Sequence, residues 1–262
     1  MIDFCNLQWT TAMEGGRQIH TEQPWMWYDE DCVKTSSKMV DGILIHKGSE
    51  QSDNNAELIA TNKPKEIHHW DGKTYNPTVA CGLLRSVDTF GYGRFSAEIM
   101  LPKGKNLWPA FWLVGDGKED WPACGEIDIC EAWTNQFGGY YKMGKPQPPY
   151  FIPLNYWNTT TNVHWGKDKK HHESCGSRRL PIIFSLKRPA HNFVKYEVEW
   201  RPNTISFFAN GHRVRTYGLE VAEHLLNKKM RVIFDLWTTQ AQFSCDTPMK
   251  IRNFEYKSLE IL

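Results

Sequence analysis

Short strand-like segments, each closed by a turn signal, are the feature that most limits how this chain can fold. Residues 92–102 (YGRFSAEIMLP) alternate large and polar side chains and stop at Pro102, as a β-strand does. Residues 107–115 (LWPAFWLVG) form an apolar run of strand length, and residues 230–239 (MRVIFDLWTT) are rich in strand-favouring types. Residues 194–214 read as successive hairpin arms with turns at RPNT and NGH. The pattern predicts many short strands.

Helix signals are scarce by comparison. Residues 218–229 (GLEVAEHLLNKK) are the one convincing helix candidate, and the chain closes on a further strand pattern over residues 249–262. Many short strands with little helix predict an all-β sandwich or barrel. The tract 134–181 is polar, rich in Gly, Pro and Lys, and predicted as a long loop. Since no linker or internal repeat divides the sequence, we expect a single domain over residues 1–262.

The charge balance excludes some partners. The formal net charge of +1 offers no basic excess for a phosphate backbone, so we expect no nucleic-acid binding. No apolar run is long enough for a membrane span. Residues 1–16 lack a basic start followed by an apolar core and do not read as a signal peptide. We therefore expect either a cytosolic protein or one whose signal has been removed.

Cysteine usage gives no metal site. The chain has seven cysteines, an odd number, so at least one thiol stays free or pairs between chains. No CxxC occurs, and the spacing describes no zinc site. His171, His172 and Cys175 lie close in the run HHESC, but solvated loops often contain such residues. We predict no metal there and treat buried cysteines as small packing residues. The cysteines are Cys5, Cys32, Cys81, Cys124, Cys130, Cys175 and Cys245.

The run WPACGEIDICEAW, residues 121–133, places three acids among apolar residues. Glu126, Asp128 and Glu131 would each lose hydration in such surroundings, which costs free energy. A solvent-facing strand with alternating acids would explain the spacing without any chemistry. A tryptophan at each end of the run, and an overall content of 12 tryptophans, favours a sugar site instead, because flat rings stack on sugar rings.

Strand parity tests whether the three acids can act together. Glu126 and Asp128 share one face, but Glu131 lies five steps from Glu126 and falls on the other. One extra residue, a β-bulge near Ile129 or Cys130, would turn Glu131 back to join them. A retaining glycosidase needs two carboxyl groups roughly 5–5.5 Å apart, one as nucleophile and one as acid and base. An acid between them can hydrogen-bond the nucleophile and tune its charge.

The segment FGYGRFSAEIMLPKGKNLWPAFWLVGDGKEDWPACGEIDICEAW, residues 90–133, resembles the family 16 glycoside hydrolases, in particular the laminarinase-like branch with a bulged ExDxxE signature. Residues 160–166 (TTNVHWG) resemble a family strand that carries a histidine. Residues 195–214 (KYEVEWRPNTISFFANGHRV) resemble its YxxEWxPxxIxFxxDGxxV hairpin. The resemblance implies a β-jelly-roll sandwich of two antiparallel sheets with an open concave substrate cleft.

The resemblance also implies roles for single residues. Glu126 would be the nucleophile, Glu131 the general acid and base, and Asp128 the assisting acid. Trp108, Trp112 and Trp121 would be platforms for sugar rings, and His164 would lie near the carboxylates. Two further tryptophans, Trp133 and Trp237, stand where the sequence departs from the family pattern, and we predict that both contact substrate.

Several properties stay open at this stage. The N-terminal region lacks the family's usual opening strand, so the structural calcium that some members carry cannot be placed, and we predict no other cofactor. We expect a monomeric, secreted or cell-surface endo-hydrolase of a β-1,3- or mixed-linked glucan. The alternatives are a galactan-type substrate (agar, porphyran, carrageenan or a host glycan), transglycosylation, and a carbohydrate-binding sandwich without catalysis.

Overall fold

The computed structural model describes residues 2–14, 18–19, 23–35, 37–40, 43–46, 55–69, 71–134, 140–141, 159–176, 178–179 and 192–259. These residues form almost entirely β-structure. The strands of the first half are β1 (Ile2–Phe4), β2 (Leu7–Thr10), β3 (Met26–Tyr28), β4 (Val33–Thr35), β5 (Ser37–Val40), β6 (Ile43–His46), β7 (Asn55–Leu58), β8 (Ala60–Asn62), β9 (Ile67–His68), β10 (Thr74–Tyr75), β11 (Val79–Cys81), β12 (Leu83–Ser86), β13 (Gly93–Met100) and β14 (Gly104–Lys105).

The second half continues in the same manner. Its strands are β15 (Leu107–Gly115), β16 (Glu126–Glu131), β17 (Trp133–Thr134), β18 (Tyr140–Tyr141), β19 (Thr160–Gly166), β20 (His172–Ser174), β21 (Arg178–Arg179), β22 (Val194–Arg201), β23 (Thr204–Ala209), β24 (His212–Tyr217), β25 (Met230–Thr238), β26 (Ser244–Cys245) and β27 (Met249–Ser258). Short 3-10 helices cover Glu30–Cys32, Lys169–His171 and Glu223–Leu225, and the helix α1 covers Leu219–Ala222.

Two large antiparallel sheets make up the fold. One has nine strands in the order β1-β2-β12-β25-β15-β16-β19-β20, with β21 also paired to β19. The other has seven strands in the order β24-β23-β22-β13-β27-β7-β4. Neighbouring strands are mostly far apart in sequence, so the chain crosses repeatedly between sheets. This arrangement confirms the predicted all-β sandwich of two antiparallel sheets.

Aromatic rings from both sheets meet in the core between them. Phe254 of β27 lies edge-on to Phe234 of β25, with ring centroids 5.8 Å apart, and edge-on to Trp9 of β2 at 5.5 Å. Phe234 in turn stacks on Phe111 of β15 at 4.5 Å. All four rings are nearly or fully enclosed. Burial of such rings removes a large apolar area from water and stabilises the face-to-face packing of the sheets.

The predicted elements match the structure closely where the sequence has a clear strand pattern, either alternating or continuously apolar. The strand predicted over 107–115 is β15, and those predicted within 92–102 and 230–239 are β13 and β25. The helix predicted over 218–229 is shorter: α1 and the following 3-10 turn end at Leu225, where Leu226 turns to an extended backbone. In the part of the chain that the structure describes, no helix has the length and apolar character of a membrane span.

The long loop predicted over 134–181 was wrong where the structure describes strands, whereas the resemblance of 160–166 to a family strand is confirmed by β19. Strands β19 and β20 lie there, and β19 is a central pairing partner of β16. The misreading has a physical reason: β19 (TTNVHWG) pairs on both edges and carries polar side chains on one face, so it lacks the apolar run of a core strand. Residues 135–139 and 142–158 of that tract lie outside the described residues.

Candidate active site

The three acids of β16 project from the face of the nine-stranded sheet that points away from the core. Ile127 and Cys130 of the same strand belong to the hydrophobic core. Glu126, Asp128 and Glu131 take the opposite face. The pairing of β16 with β15 on one side and β19 on the other fixes this orientation. A strand held on both edges has little freedom to rotate, so the acid row is set by the sheet itself.

Ile129 is the extra residue of a β-bulge. Neighbouring residues of β15 pair with Cys130 and Asp128, which are two positions apart on β16. The pairing with β19 also shifts register between Asp128 and Glu131. Because Ile129 and Cys130 both turn to the core, Glu131 returns to the face occupied by Asp128. The bulge predicted near Ile129 or Cys130 is confirmed.

Each outer acid of the row accepts a hydrogen bond from an indole. Nε1 of Trp121, just before β16, donates to Oε2 of Glu126 at 3.1 Å. Nε1 of Trp108, on β15, donates to Oε1 of Glu131 at 3.2 Å. A donor aimed at a carboxyl oxygen favours its ionised form and fixes the rotamer of the acid. The ring of each tryptophan is half-buried beside its acid.

A histidine on the neighbouring strand completes the cluster. Nε2 of His164, on β19, lies 3.1 Å from Oδ2 of Asp128 and 3.7 Å from Oε1 of Glu126. The same Nε2 lies 2.7 Å from Nδ2 of Asn162. On the other side of the ring, Nδ1 lies 2.7 Å from Nε2 of His172 on β20. The predicted position of His164 near the carboxylates is what the structure shows, whereas Asn162 was not singled out by sequence and His172 was considered only as a metal ligand.

Burial and mutual repulsion raise the pKa values of all three acids. Loss of hydration, then the charge of Asp128, raises the pKa of Glu126 to about 8. Loss of hydration also raises the pKa of Asp128, which shares a hydrogen bond with Glu126. The pKa of Glu131 is raised well above its ordinary value, by burial first and then by its two acidic neighbours. The cluster therefore retains protons near neutral pH, as a site that combines an acid with a nucleophile requires.

Asp235 is a fourth buried acid that sequence analysis missed. It lies on β25, is 1% exposed, and accepts a hydrogen bond from Nε1 of Trp112 at 3.1 Å. Ala110 of β15 pairs with Asp235 on one side and with Glu131 on the other, so both acids occupy one row across the sheet. Burial raises the pKa of Asp235 well above its usual range. A lone acid inside the apolar run 230–239 was the available signal.

Three of the predicted tryptophans form an aromatic cluster beside Glu131. The ring of Trp108 lies 5.1 Å from that of Trp237 and 5.8 Å from that of Trp133, measured between centroids. Trp133 is enclosed, with 2% of its surface exposed, which places it as a packing partner of Trp108. Trp112 and Trp237 are each 8% exposed. Contact of these rings with a sugar stays a prediction.

The HHESC run divides between two environments. Nδ1 of His171 lies 2.8 Å from Oδ1 of Asp168 at the protein surface. His172 instead turns to the acid row, where its ring stacks parallel to that of His164, with centroids 5.0 Å apart, and lies 4.7 Å from that of Trp121. The two histidines thus serve different contacts, because His171 ends the short 3-10 helix whereas His172 begins β20.

The spacing of the cluster would also admit a cation. Glu126, Asp128 and His164 offer one ligand atom each within 4.8 Å of one another. One feature opposes metal binding: the amide of Asn162 already engages Nε2 of His164. The row therefore fits proton transfer better than metal coordination, and the expectation of no metal stays a prediction.

Comparison with known proteins points to a single family. The model of the family described as "Glycosyl hydrolases family 16" matches residues 43–254, well over half of the chain. A "Glucan endo-1,3-beta-glucosidase" of Cryptopygus antarcticus is 25% identical over 220 residues, which cover 82% of this chain and 70% of the relative. A "Beta-glucanase" of Rhodothermus marinus is 39% identical over 145 residues, 54% of this chain and 42% of the relative.

Solved structures share the fold. A family 16 protein of Bacteroides ovatus, described as a mixed linkage glucan protein in complex with a product, superposes with a TM-score of 0.63 at 22% identity. The match covers 97% of this chain and 98% of that protein. At this identity the likeness concerns the sandwich and its strand order, and it extends over nearly the whole chain.

Proposed function

The chain belongs to the glycosyl hydrolases of family 16, and on that basis we propose that it cleaves a β-linked glucan internally, with retention of configuration, by means of Glu126, Asp128 and Glu131. Family membership makes the chain a glycoside hydrolase, and its β-glucanase relatives support an endo-acting β-glucan hydrolase. The roles of the three acids and the identity of the glucan are the proposed part.

The bulge at Ile129 is the observation that carries the proposal. If the same residues alternated regularly with no bulge, Glu131 would point into the core, and the strand would offer only two acids on one face. With it, two glutamates lie on the same face with an aspartate between them. A protein that only held sugar would gain nothing from three buried, partly protonated acids, each of which costs desolvation free energy.

The reaction has two steps in this proposal. Ionised Glu126 attacks the anomeric carbon while Glu131 transfers its proton to the glycosidic oxygen, so the bond to the leaving sugar breaks as the ester to Glu126 forms. Glu131, now ionised, then takes a proton from water. That water attacks the anomeric carbon and releases Glu126 as a carboxylate. Asp128 shares a hydrogen bond with Glu126 and, once it holds the shared proton, donates it to the Glu126 carboxylate.

The indoles at the two ends of the row fit a sugar ligand. Trp121 and Trp108 combine a ring surface with an N–H that already orients an acid, so one side chain serves both stacking and positioning. The row lies on a sheet face and accepts a chain that continues in both directions, as endo-cleavage requires. Because such polymers do not enter cells, we place the protein outside the cell or at its surface.

Two measurements test the proposal. The purified protein is incubated with laminarin, lichenan, agarose, porphyran, carrageenan and keratan-type chains, and reducing ends are counted. We expect release from laminarin or lichenan, in oligosaccharides longer than one sugar. Proton NMR of the earliest product should show the β-anomer before mutarotation. Inversion of the anomeric centre would contradict the assigned pair, and activity only on the galactans would replace the glucan as substrate.

A further inference from the structure

The donor and the acceptor of each hydrogen bond around His164 can be assigned, starting from a backbone N–H group. The backbone N–H of Val163 donates to Oδ1 of Asn162 at 3.0 Å. A backbone N–H can only donate, so the atom that it meets must be the amide oxygen and not the amide nitrogen. The orientation of the Asn162 side chain follows, with its NH2 group facing Nε2 of His164 at 2.7 Å.

That orientation decides which ring nitrogen of His164 carries the proton. An amide NH2 has no lone pair available for accepting, so Nε2 of His164 must accept and is unprotonated. A neutral imidazole then carries its proton on Nδ1, which lies 2.7 Å from Nε2 of His172. Nε2 of His172 accepts this bond. A doubly protonated His164 would instead set two donors against each other at the Asn162 contact.

We propose that Asn162 and His172 are positioning residues that hold His164 as its Nδ1–H tautomer, with an unprotonated Nε2 beside the carboxyl groups of Asp128 and Glu126. This inference deepens the proposed function and rests on it. The two partners lie on different strands, Asn162 on β19 itself and His172 on β20, so the sheet pairing of β19 with β20 sets the geometry. Stacking of the His172 ring on His164 and against Trp121 limits its rotation.

The tautomer has a consequence for the acid row. Oδ2 of Asp128 lies 3.1 Å from the unprotonated Nε2 of His164, whereas Oε1 of Glu126 is farther, at 3.7 Å. A lone pair opposite a carboxylate is repulsive, and it disfavours ionisation of the nearer acid. The unprotonated Nε2 therefore adds to the burial that raises the pKa of Asp128. Burial, and then the neighbouring His164, lower the pKa of His172, which agrees with a neutral His172 ring whose Nε2 can accept a hydrogen bond.

The direct test is 15N NMR of the full chain labelled at histidine. The resonances of His164 are identified by their loss in a His164→Gln variant. At neutral pH we expect a protonated Nδ1 and an unprotonated Nε2. The isosteric Asn162→Asp variant puts a carboxylate oxygen where the amide donor stood, and Nε2 should then gain a proton. A protonated Nε2 in the unaltered protein overturns the inference, as does an Asn162→Asp variant with an unchanged Nε2.

Kinetics supply a second, independent arm. His172→Ala should lower kcat about tenfold, the lower end of what loss of an orienting partner of a functional imidazole costs. KM should stay within about twofold, because substrate contacts are retained. His172→Gln should recover most of the rate, since its side-chain oxygen can accept from Nδ1–H. The exposed His171→Ala is the matched control and should behave as the unaltered protein.

The outcomes separate the inference from the proposed function. Equal rates for the unaltered protein and His172→Ala overturn the positioning role even though hydrolysis is observed. The expected tautomer in a protein that hydrolyses no glycan overturns the proposed function while the assignment of the ring nitrogens remains. Thermal unfolding of each variant shows whether a lost rate reflects a lost fold.

Discussion

The indole N–H of Trp121 donates to Oε2 of Glu126 at 3.1 Å, and this contact has a counterpart at the other end of the acid row. There the indole N–H of Trp108 donates to Oε1 of Glu131 at 3.2 Å. The two indoles stabilise the ionised form of different acids, one the proposed nucleophile and the other the proposed acid and base. Each bond lowers the pKa of its acid against the larger raising effect of burial.

Removal of the two indole donors should shift opposite limbs of the pH–rate profile. Trp121→Phe keeps a ring but loses the donor, so the pKa of Glu126 rises and the acid limb of kcat/KM moves to higher pH. Trp108→Phe raises the pKa of Glu131 and moves the alkaline limb to higher pH. Each shift should be about one pH unit, as expected for one hydrogen bond to a charged group. Trp165→Phe, whose ring stacks on His224 away from the acids, is the control.

A substitution at the proposed nucleophile should separate binding from turnover. Glu126→Gln keeps the size of the side chain and can still accept from Trp121, but it cannot attack the anomeric carbon. We expect kcat to fall on the order of 10⁴-fold or more, with oligosaccharide affinity largely retained. Calorimetry with a laminarin oligomer and a reducing-end assay measure the two quantities. Glu199→Gln, on the other sheet, should leave both unchanged, and hydrolysis at the full rate in Glu126→Gln would remove the assignment.

Deletion of Ile129 should remove the bulge without turning Glu131 to the core. With Ile129 present, two successive residues face the core. With it deleted, Cys130 alone does so, and the alternation still brings Glu131 to the face of Asp128. The variant should lose about 2–5 kcal/mol of stability from the missing buried side chain, yet retain measurable hydrolysis. A folded deletion variant no more active than Glu131→Gln would show that the bulge sets distance as well as direction.

The sequence was sufficient for features that depend on local alternation. Strand β15 matches its predicted span because both its faces are apolar, and the acid row could be recognised because period-two parity fails at a single position. The bulge was inferred from that failure together with the hypothesis that the three acids act from one face. Both features depend on residues adjacent in the chain, so no knowledge of the sheet order was needed to predict them.

Features that depend on strand order could not be predicted in the same way. Asp235 joins the acid row only because β25 lies next to β15, and His172 reaches His164 only because β20 pairs with β19. The adjacency of β25 and β15 is not encoded by spacing along the chain, whereas that of β19 and β20, which are consecutive strands, was missed because their tract was predicted as a loop. Asn162 was missed for a related reason. An asparagine on a strand with several polar residues does not stand out in the sequence until the position of the His164 ring is known.

Asp235→Asn should stabilise the protein, and the gain should grow with pH. Burial raises the pKa of Asp235 in the fold well above its unfolded value of about 3.9, so the folded state holds a proton that the unfolded state releases. The contribution of such a group to stability is complete below its unfolded pKa and is lost as pH rises toward its folded pKa. Asparagine has no proton to lose, and its side-chain oxygen can still accept from the indole of Trp112.

Urea unfolding at about pH 3 and about pH 8 measures this gain, since the first condition lies below and the second above the ordinary pKa of a carboxyl group. Asp235→Asn should match the unaltered protein at the lower pH and exceed it by about 1–3 kcal/mol at the higher. Asp116→Asn is a control of opposite sign: its bond with Lys118 lowers the pKa of Asp116, so stability present above its unfolded pKa is lost as pH falls. That variant should lose a little stability at the higher pH. An Asp235→Asn variant destabilised equally at both pH values would mean that Asp235 is ionised in the fold, and the acid row would then carry one more negative charge than the proposed mechanism allows.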